Sequence, residues 1–397
     1  MDSDRRRMYS LGLMAFILFL SSTVGIPVLP RIAAELEADP TEIPIVVAAA
    51  LATVVVAQLF TGFLADRYSR KTLIQIGALM GSASSLLCVV ATDWTQLAAL
   101  RVIGGIADAV AMPALLAITA SLGSSRPGKA FGILRSSQGL SFVIGPALGA
   151  AFSFVALRAP FVVDGLLSLG AFFASVVLLT DTDRVAPAHS FSVFRGLKST
   201  FSDARVYLYL MMGISGIFGF GILCSFVPAK AQIIGLEAWQ IGAILSGGAL
   251  LFSVMSYVVG SVTDKYGRRI FVILSQALII VAGVGLLFSN GFATLFLSYG
   301  IFCVAETITY LLSFVYASET FDKRHIGASV AVFDSLMDLS LLIGPLIAVA
   351  VHKSTGRLGF VFLIAVIPAA TAFFATSVWL PREAKSDVCY DEMGEKP

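Results

Sequence analysis

The chain has 397 residues, 57% of them hydrophobic and only 13% charged, and its formal net charge is +2. A soluble domain typically carries about 25% charged residues, so there is too little charge here to coat a water-facing surface. The mean hydropathy of +0.90 places apolar surface against lipid, and the near-neutral balance gives no footing for nucleic acid.

A bilayer core about 30 Å thick is crossed by roughly 20 apolar residues in a helix. Twelve runs meet that length: roughly 8–30, 43–65, 72–92, 95–122, 129–154, 160–180, 206–234, 238–262, 270–288, 293–320, 324–352 and 358–380. The basic start around Arg5, Arg6 and Arg7 resembles a leader peptide. The apolar run after it continues to about Pro30 with no small-residue cleavage site, so it reads as a first span that is kept. The longest polar link is 181–205, at the middle of the chain. It divides an N-terminal six-helix bundle, 1–180, from a C-terminal bundle with a short tail, 206–397. The predicted fold is thus an all-α membrane protein with twelve transmembrane helices in two pseudo-symmetric six-helix bundles.

Basic residues fall mostly on one side of these spans. The segments that share a side with the N-terminus hold most of the 27 Lys and Arg residues. The opposite loops hold Arg31, Arg158, Lys230, Lys353 and Arg357, and Arg101 and Arg135 lie within spans. Basic loops stay cytoplasmic, so a multi-pass cell-membrane protein with both termini cytoplasmic is expected. The four cysteines show no CxxC spacing and the three histidines are scattered; no disulfide framework, metal site or cofactor is expected. No nucleophile–base pair, HExxH or phosphate loop is present, so the chain does not read as an enzyme.

The halves repeat. Gly62-Phe-Leu-Ala-Asp66-Arg67-Tyr-Ser-Arg70-Lys71 recurs 198 residues on as Gly260-Ser-Val-Thr-Asp264-Lys-Tyr-Gly-Arg268-Arg269. Ser141-Phe-Val-Ile-Gly145-Pro146 recurs 199 residues on as Ser340-Leu-Leu-Ile-Gly344-Pro345. Two matches at nearly one offset argue for duplication and for a pseudo-two-fold axis along the membrane normal, with a central site between the halves.

The first of these loops resembles the signature of the major facilitator superfamily, with Ser69 where the family usually has glycine. Arg101-Val-Ile-Gly-Gly105-Ile-Ala-Asp108-Ala in span 4 resembles a second motif of that family. Gly139, Gly145, Pro146 and Gly149 in span 5 are similar to the glycine-proline motif of its drug:proton antiporter branch. The resemblance implies alternating access, proton-coupled export of a small lipophilic or cationic solute, and a monomer. It also implies that Asp66 meets the N-terminal end of span 11, where a helix dipole favours an anion. A symporter or uniporter of a metabolite, and a lipid flippase, stay open; a non-transporting sensor is the reading from a different class.

Charges inside spans are the sharpest clues, because each costs roughly 2.5–3.5 kcal/mol on insertion scales unless paired or hydrated. Asp108 lies midway along span 4, and Glu306 occupies the equivalent position midway along span 10. Family geometry turns both toward the cavity, as proton carriers or as counter-ions to a cation; a buried structural acid is the plain alternative. Arg101, two turns from Asp108, would hold or modulate its charge. Near the rim, Asp66, Arg67, Arg70, Lys71, Asp264, Arg268 and Arg269 are expected to gate the cytoplasmic side. Asp334 in span 11 would join Asp66 and Arg70, and Arg135 in span 5 would pair with Asp264. Asp338 is a further proton-site candidate, and Asp164 is expected at the outer rim. Pro146 is expected to kink span 5, and its glycines to form a hinge or seal between the halves. Aromatics such as Tyr310 and Phe314 would stack on a substrate or pack the core.

Overall fold

A chain can cross hydrocarbon only if every backbone N–H and C=O is bonded inside the protein, and a helix does this within one segment. The computed structural model describes residues 2–39, 42–122, 126–179, 198 and 200–380, and every regular element among them is helical. Twelve long helices follow in order: α1 Asp2–Val24, α2 Ile43–Thr61, α3 Arg70–Cys88, α4 Trp94–Leu122, α5 Pro127–Ser153, α6 Ala159–Leu178, α7 Arg205–Ile233, α8 Ala238–Tyr266, α9 Arg269–Phe288, α10 Phe292–Thr320, α11 Ile326–Thr355 and α12 Gly359–Trp379. Short helices extend α1 (Leu29–Glu35) and α2 (Leu64–Arg67). The predicted link 181–205 lies outside the described residues except for 198 and 200–205, as does the tail 381–397.

Ten of these segments are long and apolar enough to cross a membrane on length and composition alone. The other two are α3 and α5, whose sequences carry Arg70, Lys71, Gln75 and three clustered serines in one, and Lys129, Arg135 and Gln138 in the other. Polar groups make them less apolar because they face protein: Ser82, Ser84 and Ser85 of α3 and Arg135 of α5 are all buried.

The contacts follow the repeat. Helix α3 packs on α4 and α6, and α9 packs equivalently on α10 and α12; α1 packs on α5 as α7 packs on α11. The halves meet along two seams, α5 with α8 and α2 with α11, which a two-fold axis exchanges. Between the seams lies an aromatic plug: Phe131 of α5 meets Phe314 of α10 at 5.9 Å between ring centroids, and Phe314 meets Phe333 of α11 at 5.3 Å.

The two repeat loops differ in backbone. Gly267 has φ 84°, a left-handed value that a side chain resists. Ser69 has φ −57°, so its departure from glycine causes no strain, and its Oγ accepts the Thr72 amide at 3.4 Å as the N-cap of α3. The basic residue after each turn ties down the last helix of its own half. Lys71 Nζ donates to the Val176 and Leu179 carbonyls (2.9 and 2.8 Å) at the end of α6. Arg269 Nη2 donates to the Ser377 carbonyl (2.7 Å) at the end of α12. Both put a cation where a helix dipole is negative.

Candidate functional site

One end of the bundle is closed by two equivalent clasps. Asp66, just after α2, accepts the Gly327 and Ala328 amides at 2.6 and 2.9 Å at the start of α11. Asp264, near the end of α8, accepts the Gly128 and Lys129 amides at 3.0 and 2.9 Å at the start of α5. The first amides of a helix have no partner in the helix, and its dipole is positive there, so a carboxylate satisfies both. Glycine makes the approach possible: a Cβ at Gly128 would lie 2.6 Å from Asp264 Oδ1, and one at Gly327 2.7 Å from Asp66 Oδ1. Gly62 and Gly260 open the same seams further along, against Ala331 and against the Gly128 carbonyl. Gly128, Gly132 and Gly327 were not anticipated as seam residues, although Gly128 and Gly327 stand 199 residues apart, the offset already seen in the repeat.

The arginines of these loops brace the clasps from within each half. Arg70 donates to the Ala117 carbonyl (3.2 Å) and the Ser121 hydroxyl (2.8 Å) at the end of α4. Arg268 pairs with Asp264 at 3.3 Å and with Glu319 at 2.7 Å at the end of α10. Ser121 and Glu319 are repeat equivalents. Arg67 is exposed, its guanidinium 5.7 Å from the neighbouring Tyr68 ring. With Lys71 and Arg269 held inside their own halves, the aspartates are the members of these loops that bond across each seam.

Deeper in, the expected crossed pairs are replaced by a direct one. Arg135 does not reach Asp264, and Asp334 does not join Asp66 and Arg70; Arg135 and Asp334 pair with each other at 3.5 Å. The physical reason is symmetry: repeat-equivalent residues on α5 and α11 meet when both lie close to the two-fold axis. The pair is 3% and 7% exposed, so it is sealed in protein. Arg135 also donates to Gln138 Oε1 at 2.8 Å and lies 4.2 Å from the Tyr310 ring centroid and 4.6 Å from that of Phe314. These two rings therefore hold an arginine, and the Tyr310 hydroxyl donates to Asp334 at 3.5 Å. One turn further along α11, Asp338 accepts Gln58 Nε2 of α2 at 3.3 Å. Gln58 Oε1 and Arg135 Nε are buried with no hydrogen-bond partner.

Asp108 and Glu306 sit at matched depths. Each lies fourteen residues into a 29-residue helix, about 21 Å along the axis. Glu306 is 2% exposed, its side chain against Gly216 of α7, where a Cβ would come to 3.2 Å. The basic charge acting on it is that of Arg135. Asp108 is half-buried and feels Arg101, but no ion pair within 4.0 Å joins them among the described residues, and Arg101 Nε is buried without a partner. Asp164 does lie near the start of its span, the expected outer end, but it is no open rim residue: it is 3% exposed and accepts the Ser85 hydroxyl at 2.7 Å.

The span-5 glycines divide between two jobs. Gly139 faces Phe252 and Ser253 of α8, across the seam. Gly145 and Gly149 seat α1 within the N-terminal half, against Thr23 and the Val24 carbonyl, as Gly344 of α11 does against Phe218 of α7. The seal between halves thus does not run the length of the motif, and α5 continues as one helix through Pro146.

The sequence matches the Major Facilitator Superfamily over residues 11–260 and 209–392. It is 25% identical over 350 residues to the quinolone resistance protein NorA of Staphylococcus aureus, covering 86% of this chain and 89% of that one. It is 29% identical over 281 residues to multidrug resistance protein 1 of Bacillus subtilis, covering 67% and 70%. The crystal structure of the human organic anion transporter MFSD10 (TETRAN) superposes with a TM-score of 0.82 over 94% of this chain and 99% of that one, at 18% identity, a likeness of fold.

Proposed function

The chain belongs to the Major Facilitator Superfamily of transporters, and on that premise we propose that it exports a small lipophilic or cationic solute in exchange for protons. The observation that carries this reading is the charge balance inside the helices. Asp108, Asp164, Glu306, Asp334 and Asp338 lie within the spans, and among the described residues the basic side chains beside them are Arg101 and Arg135, with Lys230 bound to the Leu286 and Leu287 carbonyls near the end of α7. Carboxyls left over after pairing must be neutralised, by a proton or by a bound cation, because an isolated ion in such a place is too costly. A site that takes either one alternately is an exchanger. The drug-resistance names of the two bacterial relatives support efflux as the direction.

The basic residues that flank the clasped end support a cytoplasmic assignment for it, with both termini on that side of the cell membrane. The clasped arrangement is then the inward-closed state of an alternating-access cycle, and cytoplasmic entry requires both carboxylate–amide contacts to part. Glu306 is the leading proton carrier and Asp108 its partner in the other half. Asp338, within reach of Gln58 across the seam, reports the closed state to the centre. The protein acts as a monomer, with no cofactor.

The test is transport by the purified protein in liposomes with an imposed pH gradient and ethidium as the probe. Glu306→Gln is expected to abolish gradient-driven accumulation while ethidium binding persists. Accumulation at the wild-type level by that variant would remove Glu306 from the mechanism.

A further inference from the structure

Asp164 is buried without need. In the C-terminal half the same place in the fold is filled by small apolar groups. With α6 and α12 matched at their anchored ends, where Leu179 donates to the Ser175 carbonyl and Leu380 to the Thr376 carbonyl, Ala365 stands for Asp164 and Ala369 for Ser168, and Gly283 stands 198 residues after Ser85. Ala365 and Ala369 are 1% and 0% exposed, and a Cβ on Gly283 would meet Val366 and the Phe362 carbonyl on the same helix. Arg101 has Tyr299 as its counterpart. The fold is thus satisfied by an apolar core here, and replacing polar burial with well-packed apolar groups is often neutral or stabilising. A carboxyl kept in this position calls for a reason other than packing.

Its partners differ in kind from those of the clasp aspartates. Asp66 and Asp264 accept backbone N–H groups, which only donate and have nothing to offer a carboxyl proton. Asp164 is bonded by hydroxyls: Ser85 Oγ at 2.7 Å and Ser168 Oγ at 3.5 Å. A hydroxyl donates to a carboxylate and accepts from a carboxylic acid after one rotation, so this cage holds either form. The charged groups that face it come from α4, Arg101 and Asp108, and the Cys88 thiol of α3 lies nearby. Helix α1, packed on its other side, carries no charge between residues 8 and 30. Arg101 acts on both carboxyls and has a free buried Nε. The depths are graded. Counting from the helix starts opposite the clasps, Asp164 lies about 8 Å in, Arg101 about 10 Å and Asp108 about 21 Å.

We infer that Asp164, Arg101 and Asp108 form a one-proton relay inside the N-terminal half, joining the face opposite the clasps to the centre of the bundle. One proton is shared by two carboxyls. When Asp164 holds it, Arg101 neutralises Asp108; when Asp108 holds it, Arg101 neutralises Asp164. The three groups sum to zero charge in both arrangements, so no uncompensated ion is buried at either stage. Asp164 exchanges its proton with the outer face, and Asp108 presents it to the central site. This rests on the proton-exchange reading above.

Two measurements on the full chain separate the relay from that reading. In liposomes, Asp164→Asn is expected to lower pH-gradient-driven ethidium accumulation by about tenfold, the effect of about 1.4 kcal/mol, with ethidium binding unchanged. It should also flatten the dependence of rate on outer pH. Asp164→Glu should restore both, and Asp164→Ala, the residue of the other half, should fold yet stay uncoupled. A wild-type pH profile in Asp164→Asn overturns the relay. If the wild type itself ignores the gradient, proton exchange fails as the function, and infrared titration then decides the relay alone. A carboxyl band that titrates, vanishes in Asp164→Asn and shifts in Arg101→Gln supports it; no such band overturns it.

Discussion

The two clasps share one design and differ in their bracing. At the α2–α11 seam, Asp66 is 5% exposed and holds its two amides at 2.6 and 2.9 Å, while Arg70 is anchored to a carbonyl and a hydroxyl. At the α8–α5 seam the amide contacts are 3.0 and 2.9 Å, and Arg268 bridges Asp264 to Glu319, whose side chain is 47% exposed. The first clasp places its carboxylate almost wholly on backbone. The second divides its carboxylate between backbone and a chain of ions open to solvent. The lesson is that duplication conserved the contact across the seam and left the support behind it free to drift.

The largest effect should come from the first clasp. Hydrogen bonds to a charged group contribute roughly 1.5–3 kcal/mol each, so Asp66→Asn should lower the closed population by about ten- to a hundredfold. Spin-label distances between the ends of α2 and α11 would read this as a shift to longer separations; an unchanged distribution would show that the clasp holds nothing shut. Gly327→Ala comes next. Its added methyl would sit 2.7 Å from Asp66 Oδ1, and overpacking of this kind costs about 1–3 kcal/mol, which thermal unfolding in detergent would register together with the same opening. Asp264→Asn should open the other seam less, by about tenfold or under, because one of its amide contacts is longer, 3.0 Å against 2.6 Å, and the other is equal. The smallest effect belongs to Glu319→Ser, which copies the bracing of the first clasp. An exposed ion pair contributes about 0.2–1 kcal/mol, so opening should change by a few-fold at most, and added salt should reduce the difference. A large, salt-independent effect there would reverse the ranking of the two clasps.

Much of the fold was legible because lipid imposes one rule on every span, and length and apolar composition are enough to apply it. The docking of Asp66 on α11 was legible too, through the resemblance of its loop. The pairing of Arg135 was not. A repeat offset tells which residues are equivalent, and equivalence becomes contact only near the axis, a distance that sequence does not contain. The burial of Asp164 was missed for a similar reason. Its position five residues after Ala159 suggested a rim, but burial there is set by α1 and α3 folding over it. The serines of α3 that receive it read as ordinary polar residues until a partner is known. The glycines of span 5 shared one helical face, and only the packing revealed that they serve two neighbours.

One consequence follows from the backbone half of each clasp. An amide cannot be lost by exchanging one side chain for another, so α11 and α5 are nearly mute to point mutation at these contacts, except where glycine gives way to a bulkier residue or to proline. Inherited variation in gate strength is therefore channelled to one side of each seam, onto Asp66 and Asp264 and the groups that steady them. A lineage under changing selection would tune the opening of this protein from α2 and α8, with the receiving helices as a fixed reference.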